Sequence, residues 1–182
     1  TLTLSYTFMA LIGVQWLLYG YSLSFGEDIG GLIGGLEFVG FMGVGAAPSP
    51  HYGTTIPQTV FAAFQMMFAV ITPALITGAF VERVNFKSFL IFSLVWSTLV
   101  YDPLCHWVWG KGGWLASLGV LDFAGGTVVH IAAGFSALAF ALAIGPRKGY
   151  GSFPLEPSNI PYTVLGAGLL WVGWFGFNAG SA

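Results

Sequence analysis

The sequence predicts an all-α fold, a polytopic bundle of membrane-spanning helices. Three observations carry that prediction. Of 182 residues, 56% are hydrophobic and only 7% are charged; apolar segments of bilayer-spanning length recur along the chain; and 27 glycines accompany many alanines. A helix rises about 1.5 Å per residue, so roughly 20 residues cross a hydrocarbon core of about 30 Å. Small residues let such helices approach closely where lipid gives them no hydrophobic reason to associate.

The elements follow in order. Residues 1–25 reach spanning length without a charge. The charge-free run 38–81 is too long for one ordinary span. Pro48, Pro50, Pro57 and the glycines between Gly40 and Gly45 assign its first third to loop or irregular helix. The second span is therefore expected over 56–81, with Gly30 to Gly45 at the membrane interface. The third covers 88–108 and carries Asp102 near its far end, beside a break at Pro103. The fourth and fifth are expected over 124–144 and 161–182.

Four of the five basic residues, Arg83, Lys87, Arg147 and Lys148, fall between spans two and three or between spans four and five. An up-and-down topology puts both connections on one side, which the positive-inside rule makes cytoplasmic. Glu27, Asp28, Glu37, Lys111 and Asp122 then lie outside or at the outer boundary. Trp107, Trp109 and Trp114 cluster near that boundary, where amphipathic rings meet headgroups.

Several function classes are disfavoured. A single cysteine, Cys105, leaves no intrachain disulfide and no cysteine-rich metal site. His51 and His106 have no spacing that joins them to His130 around zinc. Five basic residues and a net charge of -2 argue against a nucleic-acid partner. Neither enzymatic activity nor a cofactor is expected. Thr1 enters an apolar segment with no basic leader or cleavage pattern. The start without methionine and the end inside an apolar run make the chain read as part of a longer protein.

The polar residues at membrane depth carry what functional signal there is. His130 stands alone among small and apolar neighbours in the charge-free stretch Phe123 to Pro146. Such an imidazole makes an interhelical hydrogen bond or lines a path through the membrane. Neutral, it offers one donor and one acceptor. Asp122 precedes the same helix, where its carboxylate can accept from free backbone N–H groups or attract a cation at the outer mouth. On an ideal helix the two residues lie about 12 Å and about 80° apart, on one broad face.

Phe64 and Phe68 form an i, i+4 pair around Gln65, for which core packing is the plain reading. Gly173 to Ala182 combines bulky rings, tiny residues and two hydrogen-bonding side chains, the makings of an aromatic constriction. Asp102 to Trp109 sets an acid and two indoles near one membrane end. A tryptophan face stabilises a partly desolvated cation by roughly 0.5–2 kcal/mol. That does not offset the cost of moving an ion through hydrocarbon, so a cation held there needs a wet route or must lose a proton.

In combination these motifs resemble the Amt/MEP/Rh family of ammonium transporters, most closely its microbial branch. The resemblance rests on Tyr19 to Leu23, Phe64-Gln65 through Phe68, Gly78-Ala79 with Glu82-Arg83, His106 to Gly110, Asp122 to His130 and Gly173 to Ala182. It covers nearly the whole chain. It implies a partial eleven-helix ammonium transporter fold with inverted halves, this chain supplying helices two through six, and assembly as a homotrimer. Trp109, Phe68 and Ser181 would form the outer ammonium-binding site. Phe68 and Phe177 would be the pore gate, and His130 the first of two pore histidines, its partner lying outside this chain. Asp122 would support the outer site, and Gln65 would help organise the entrance. Asp102 matches no family role.

The implied function is recruitment of ammonium at the aromatic site, deprotonation, and ammonia conduction through an apolar pore of the cell inner membrane. The implied partners are ammonium and ammonia, membrane lipid, and a cytoplasmic trimeric nitrogen-regulatory signal protein. Two other readings stand beside it: an ammonium sensor on the same bundle, and a channel for water or carbon dioxide in which Asp122 and His130 serve packing.

Overall fold

The computed structural model describes residues 2–154 and 156–182. Thr1, the first residue of the first expected span, lies outside the described residues. Among the described residues five helices are long and apolar enough to cross a membrane: α1 (Thr3–Phe25), α2 (Gln58–Ala79), α3 (Phe86–Ser117), α4 (Gly126–Ile144) and α5 (Ile160–Ser181). The protein is a multi-pass, all-α membrane bundle. A short antiparallel hairpin, β1 (Asp28–Ile29) and β2 (Ile33–Gly34), follows α1, where the sequence pattern predicts no strand.

Helix ends follow local chemistry. Pro57 is extended and starts α2 at Gln58. The Asn85 side chain accepts from Ser88 N–H at 2.9 Å and caps α3, and Asn159 caps α5 through Tyr162 N–H at 2.9 Å. α4 stops at Gly145, where a φ of +69° suits glycine.

Two expectations about α3 are corrected. Pro103 does not break the helix, which stays helical to Trp109, turns at 110–113 and resumes over Trp114–Ser117. The reason is a wide π turn at Ser97–Tyr101, which has already given up the regular i→i−4 ladder where the proline would disrupt it. Asp102, expected near the outer mouth, is instead fully buried seven residues before Trp109, about 10 Å deeper along the helix. Similar π turns occupy Trp16–Gly20 in α1 and Gly126–Ile131 in α4.

The core lies among α1, α2 and α3 and takes in the first turns of α4. Trp16 is fully buried, with Tyr21, Phe25 and Tyr101 edge-on to it at 5.8, 6.2 and 6.3 Å. Its Nε1 donates to Ala62 O at 3.0 Å, so the indole buries without an orphan donor. Buried positions make up 50% of the most apolar stretch of α1 but none of that of α5. The last helix therefore meets the bundle along a narrow seam.

The connections sort to two ends. At one, Arg83 donates to the carbonyls of Ala79 and Gly145, and Arg147 Nη1 donates to Glu82 Oε2 at 3.3 Å, joining the α2–α3 and α4–α5 connections. At the other, Trp107 Nε1 donates to Leu32 O at 2.6 Å, and the buried His106 holds Asp28 Oδ1 and Ser24 O, each at 3.0 Å.

The hydrogen bond from His106 holds the Asp28 carboxyl below its usual range, with the Gly31 N–H acting in the same sense. A depressed folded-state value means that the contribution is whole above the ordinary carboxylate pKa, about 4, and is lost as pH falls through the lower folded value. Thermal unfolding of the protein in detergent should show Tm dropping below about pH 4. Asp28→Asn should flatten that acid limb.

Candidate functional site

The site is built around Asp122. Its Oδ1 accepts from Gly125 N–H at 2.6 Å and Gly126 N–H at 2.8 Å, and its Oδ2 from Thr127 N–H at 2.8 Å and Val128 N–H at 2.9 Å. These are amides that the start of α4 cannot satisfy within itself. Gly125 makes this possible: its φ of +96° turns the chain so that four successive N–H groups meet one carboxylate. The ideal-helix relation between Asp122 and His130 is corrected by the same geometry. Asp122 lies in the loop before α4 and His130 within the π turn Gly126–Ile131, so the 100° step per residue does not connect them.

Asp122 also positions an indole. Trp109, at the end of the continuous part of α3, donates from Nε1 to Asp122 O at 2.8 Å. That bond fixes the ring edge-on to Phe68 of α2, with centroids 5.4 Å apart and planes at 84°. Phe68, only 1% exposed, also meets Phe64 at 4.9 Å and Phe177 of α5 at 4.2 Å. Phe177 leads on to Trp174 at 5.8 Å, and Trp174 lies parallel to His130 at 5.6 Å with only 6° between planes. An unbroken series of rings thus runs Trp109, Phe68, Phe177, Trp174, His130 and joins α2, α3, α4 and α5.

Beyond Phe177 lies a half-open apolar cavity of about 640 Å³, lined by Met9, Met66, Val70, His130, Trp174 and Phe177 among others. Trp109, Phe68 and Ser181 do not line it. The Phe68–Phe177 contact therefore stands between the Trp109 indole and the cavity.

The remaining candidates are placed as follows. Ser181 Oγ donates to Phe177 O one turn back at 2.9 Å, which commits its proton and leaves its lone pairs free to accept. Its neighbour Gly180 faces Phe64 so closely that a Cβ there would sit 2.7 Å from the ring. Gln65 is buried beside Phe64 and Phe68 on α2, and its Oε1 has no partner among the described residues. Trp174 was not singled out from the sequence, although its i, i+3 spacing to Phe177 puts both rings on one face. His51 Nε2 accepts from Lys111 Nζ at 3.0 Å. Among the described residues no group of three or more His, Cys, Asp or Glu side chains is arranged to hold a metal.

Chemically, the arrangement offers aromatic faces to a cation, a hydroxyl acceptor one turn from the Phe177 ring, and an apolar space with one imidazole on its wall. The Asp122 carboxylate is occupied by backbone donors, so a cation nearby would meet its negative charge across space and not as a ligand.

Comparison with known proteins gives a consistent answer. The profile of the Ammonium Transporter Family matches residues 1–182. The chain is 51% identical over 179 residues to an ammonium transporter of Bacillus subtilis, covering 98% of this chain and 43% of that protein. The crystal structure of Candida albicans Mep2 superposes with a TM-score of 0.87 at 40% identity, over 96% of this chain and 39% of that one. A structure described as a sensor Amt protein superposes with a TM-score of 0.80 at 33% identity, over 96% of this chain and 44% of that one. The chain thus spans less than half the length of these relatives.

Proposed function

The chain belongs to the ammonium transporter family, and on that premise we propose that the whole protein moves ammonium across a membrane as ammonia, after recruiting the cation at an aromatic outer site. The bundle described above corresponds to part of the eleven-helix fold of that family. Trp109 and Phe68 attract the cation through their ring faces, and the Ser181 hydroxyl accepts one of its N–H bonds. Phe68 and Phe177 gate the entrance. Ammonium gives up a proton there to water at the outer mouth, and neutral ammonia passes along the apolar cavity, so that no unsolvated ion crosses the bilayer. His130, held parallel to Trp174, exchanges hydrogen bonds with the passing molecule, with a second histidine from outside this chain beside it. Asp122 maintains the outer site by fixing the α4 start and the Trp109 indole, and Gln65 shapes the entrance from α2.

The observation that carries this reading is the ring series from Trp109 to His130, with a two-ring closure separating an indole from an apolar cavity. The basic residues Arg83, Lys87, Arg147 and Lys148 mark the cytoplasmic side by the positive-inside rule. Family resemblance supports a homotrimer in the cell inner membrane, with a trimeric nitrogen-regulatory signal protein as cytoplasmic partner.

The test uses the full-length protein in liposomes, reading ammonium-dependent current and internal pH. Saturable flux is expected in the wild type. Trp109→Leu removes the cation–π term, and half-saturation should weaken by about 2- to 30-fold, corresponding to roughly 0.5–2 kcal/mol. Flux unchanged in this variant would overturn the outer site. A second reading, favoured by the likeness to a sensor Amt protein, keeps Trp109, Phe68 and Ser181 for recognition alone. Ammonium binding without flux in the folded protein would select it.

A further inference from the structure

Asp102 is a fully buried acid that the proposed transport steps do not use. It has no cation partner: among the described residues the ion pairs are His106 with Asp28 and Arg147 with Glu82. Its Oδ2 accepts from Gln15 Nε2 of α1 at 2.7 Å. Among the described residues its Oδ1 has no hydrogen-bond partner, and neither does Gln15 Oε1. The adjoining hydroxyls of Ser97 and Tyr101 are buried and bond to neither oxygen. An ionised carboxylate at membrane depth with a single amide donor and no counter-charge is costly, and an orphaned amide carbonyl beside it adds to the cost.

One hydrogen on Oδ1, donated to Gln15 Oε1, removes both costs. With the existing bond from Nε2 to Oδ2 it closes an acid–amide ring in which each group donates once and accepts once. Space favours a proton over a larger occupant. Gly20, at the end of the π turn that follows Gln15, lies so near that an added Cβ would sit 2.7 Å from Oε1 and 2.8 Å from Nε2. The carboxamide fills the space a side chain would take, and neither Gln15 nor Asp102 lines the large cavity. A water occupies about 30 Å³, whereas a proton needs no volume.

We infer that Gln15 and Asp102 form a proton-binding site between α1 and α3, in which Asp102 stands neutral in the membrane and donates from Oδ1 to Gln15 Oε1. The two π turns frame it: Gln15 immediately precedes Trp16–Gly20, and Asp102 immediately follows Ser97–Tyr101. The site stands independently of any ammonium path.

The test is infrared spectroscopy and thermal unfolding of the full-length protein in lipid at neutral pH. The wild type should show the carbonyl stretch of a hydrogen-bonded carboxylic acid, shifted down in heavy water and lost in Asp102→Asn. That variant should unfold within about 2 °C of wild type, because a carboxamide is neutral and offers N–H where the acid offered O–H. Gln15→Leu should keep the band but move it to higher frequency as the acceptor is lost. Should Asp102→Asn fail to assemble, the Gln15→Leu shift decides alone, and a band it leaves unmoved overturns the site. Absence of the band overturns it as well. If sodium or potassium then raises Tm in the wild type only, the pair is a cation site; if salt has no effect, Asp102 is an ionised carboxylate.

Discussion

Asp122→Ala should be among the most damaging single changes in the chain, with a loss of about 3 kcal/mol or more and a loosening of the loop whose Asp122 main-chain carbonyl accepts from Trp109 Nε1. One carboxylate accepts four backbone N–H bonds at 2.6–2.9 Å, and among the described residues no other side chain is bonded to those amides. Hydrogen bonds to a charged group each contribute about 1.5–3 kcal/mol, and removing the acceptor leaves its donors unsatisfied at the start of a membrane helix. Alanine at a single-bond helix cap already costs about 0.5–2 kcal/mol. Asp122→Asn separates structure from charge. A carboxamide keeps one acceptor oxygen and turns an NH2 toward two N–H donors, so a structural role predicts a Tm close to that of Asp122→Ala. A role limited to attracting a cation across space predicts a normal Tm with only weakened half-saturation. Thermal unfolding of both variants beside ammonium flux decides between them.

What could be read from the sequence follows from what sequence periodicity encodes. The five apolar runs were legible because length and hydropathy alone decide whether a helix crosses a bilayer. The carboxylate of Asp122 was legible as an acceptor for helix-start amides, since that depends only on an acid preceding a helical run. Helix ends moved by a few residues where a local cap acted: α3 starts at Phe86 because Asn85 caps it, and α2 at Gln58 because Pro57 is extended. The π turns were not legible. Each adds a residue to a turn without changing composition, and the one in α4 undid the angle assigned between Asp122 and His130. The pairing of Gln15 with Asp102 joins residues 87 apart in sequence, and the stacking of His130 on Trp174 joins α4 to α5. Contacts of that kind depend on helix rotation and tilt, which the neighbouring helices set and no single segment carries.

The closure formed by Phe68 and Phe177 allows a contrast that stability alone would obscure. Phe68 is 1% exposed and touches Phe64, Trp109 and Phe177, so Phe68→Ala should cost about 3–5 kcal/mol, as for other buried aromatic truncations. Phe177 is only partly buried, on a helix that otherwise meets the bundle at few points. Its truncation leaves a smaller cavity and should cost no more than about 2 kcal/mol. Both changes remove one of two rings 4.2 Å apart between the Trp109 indole and the cavity. If the pair is a gate, Phe177→Ala should unfold near the wild-type temperature yet lose discrimination, passing ions or water that the wild type excludes. If the rings serve packing only, Phe68→Ala should lower Tm and flux together while Phe177→Ala changes neither. Flux selectivity measured beside Tm for the two variants distinguishes these outcomes, because the energy lost from packing scales with burial whereas the width of the opening does not.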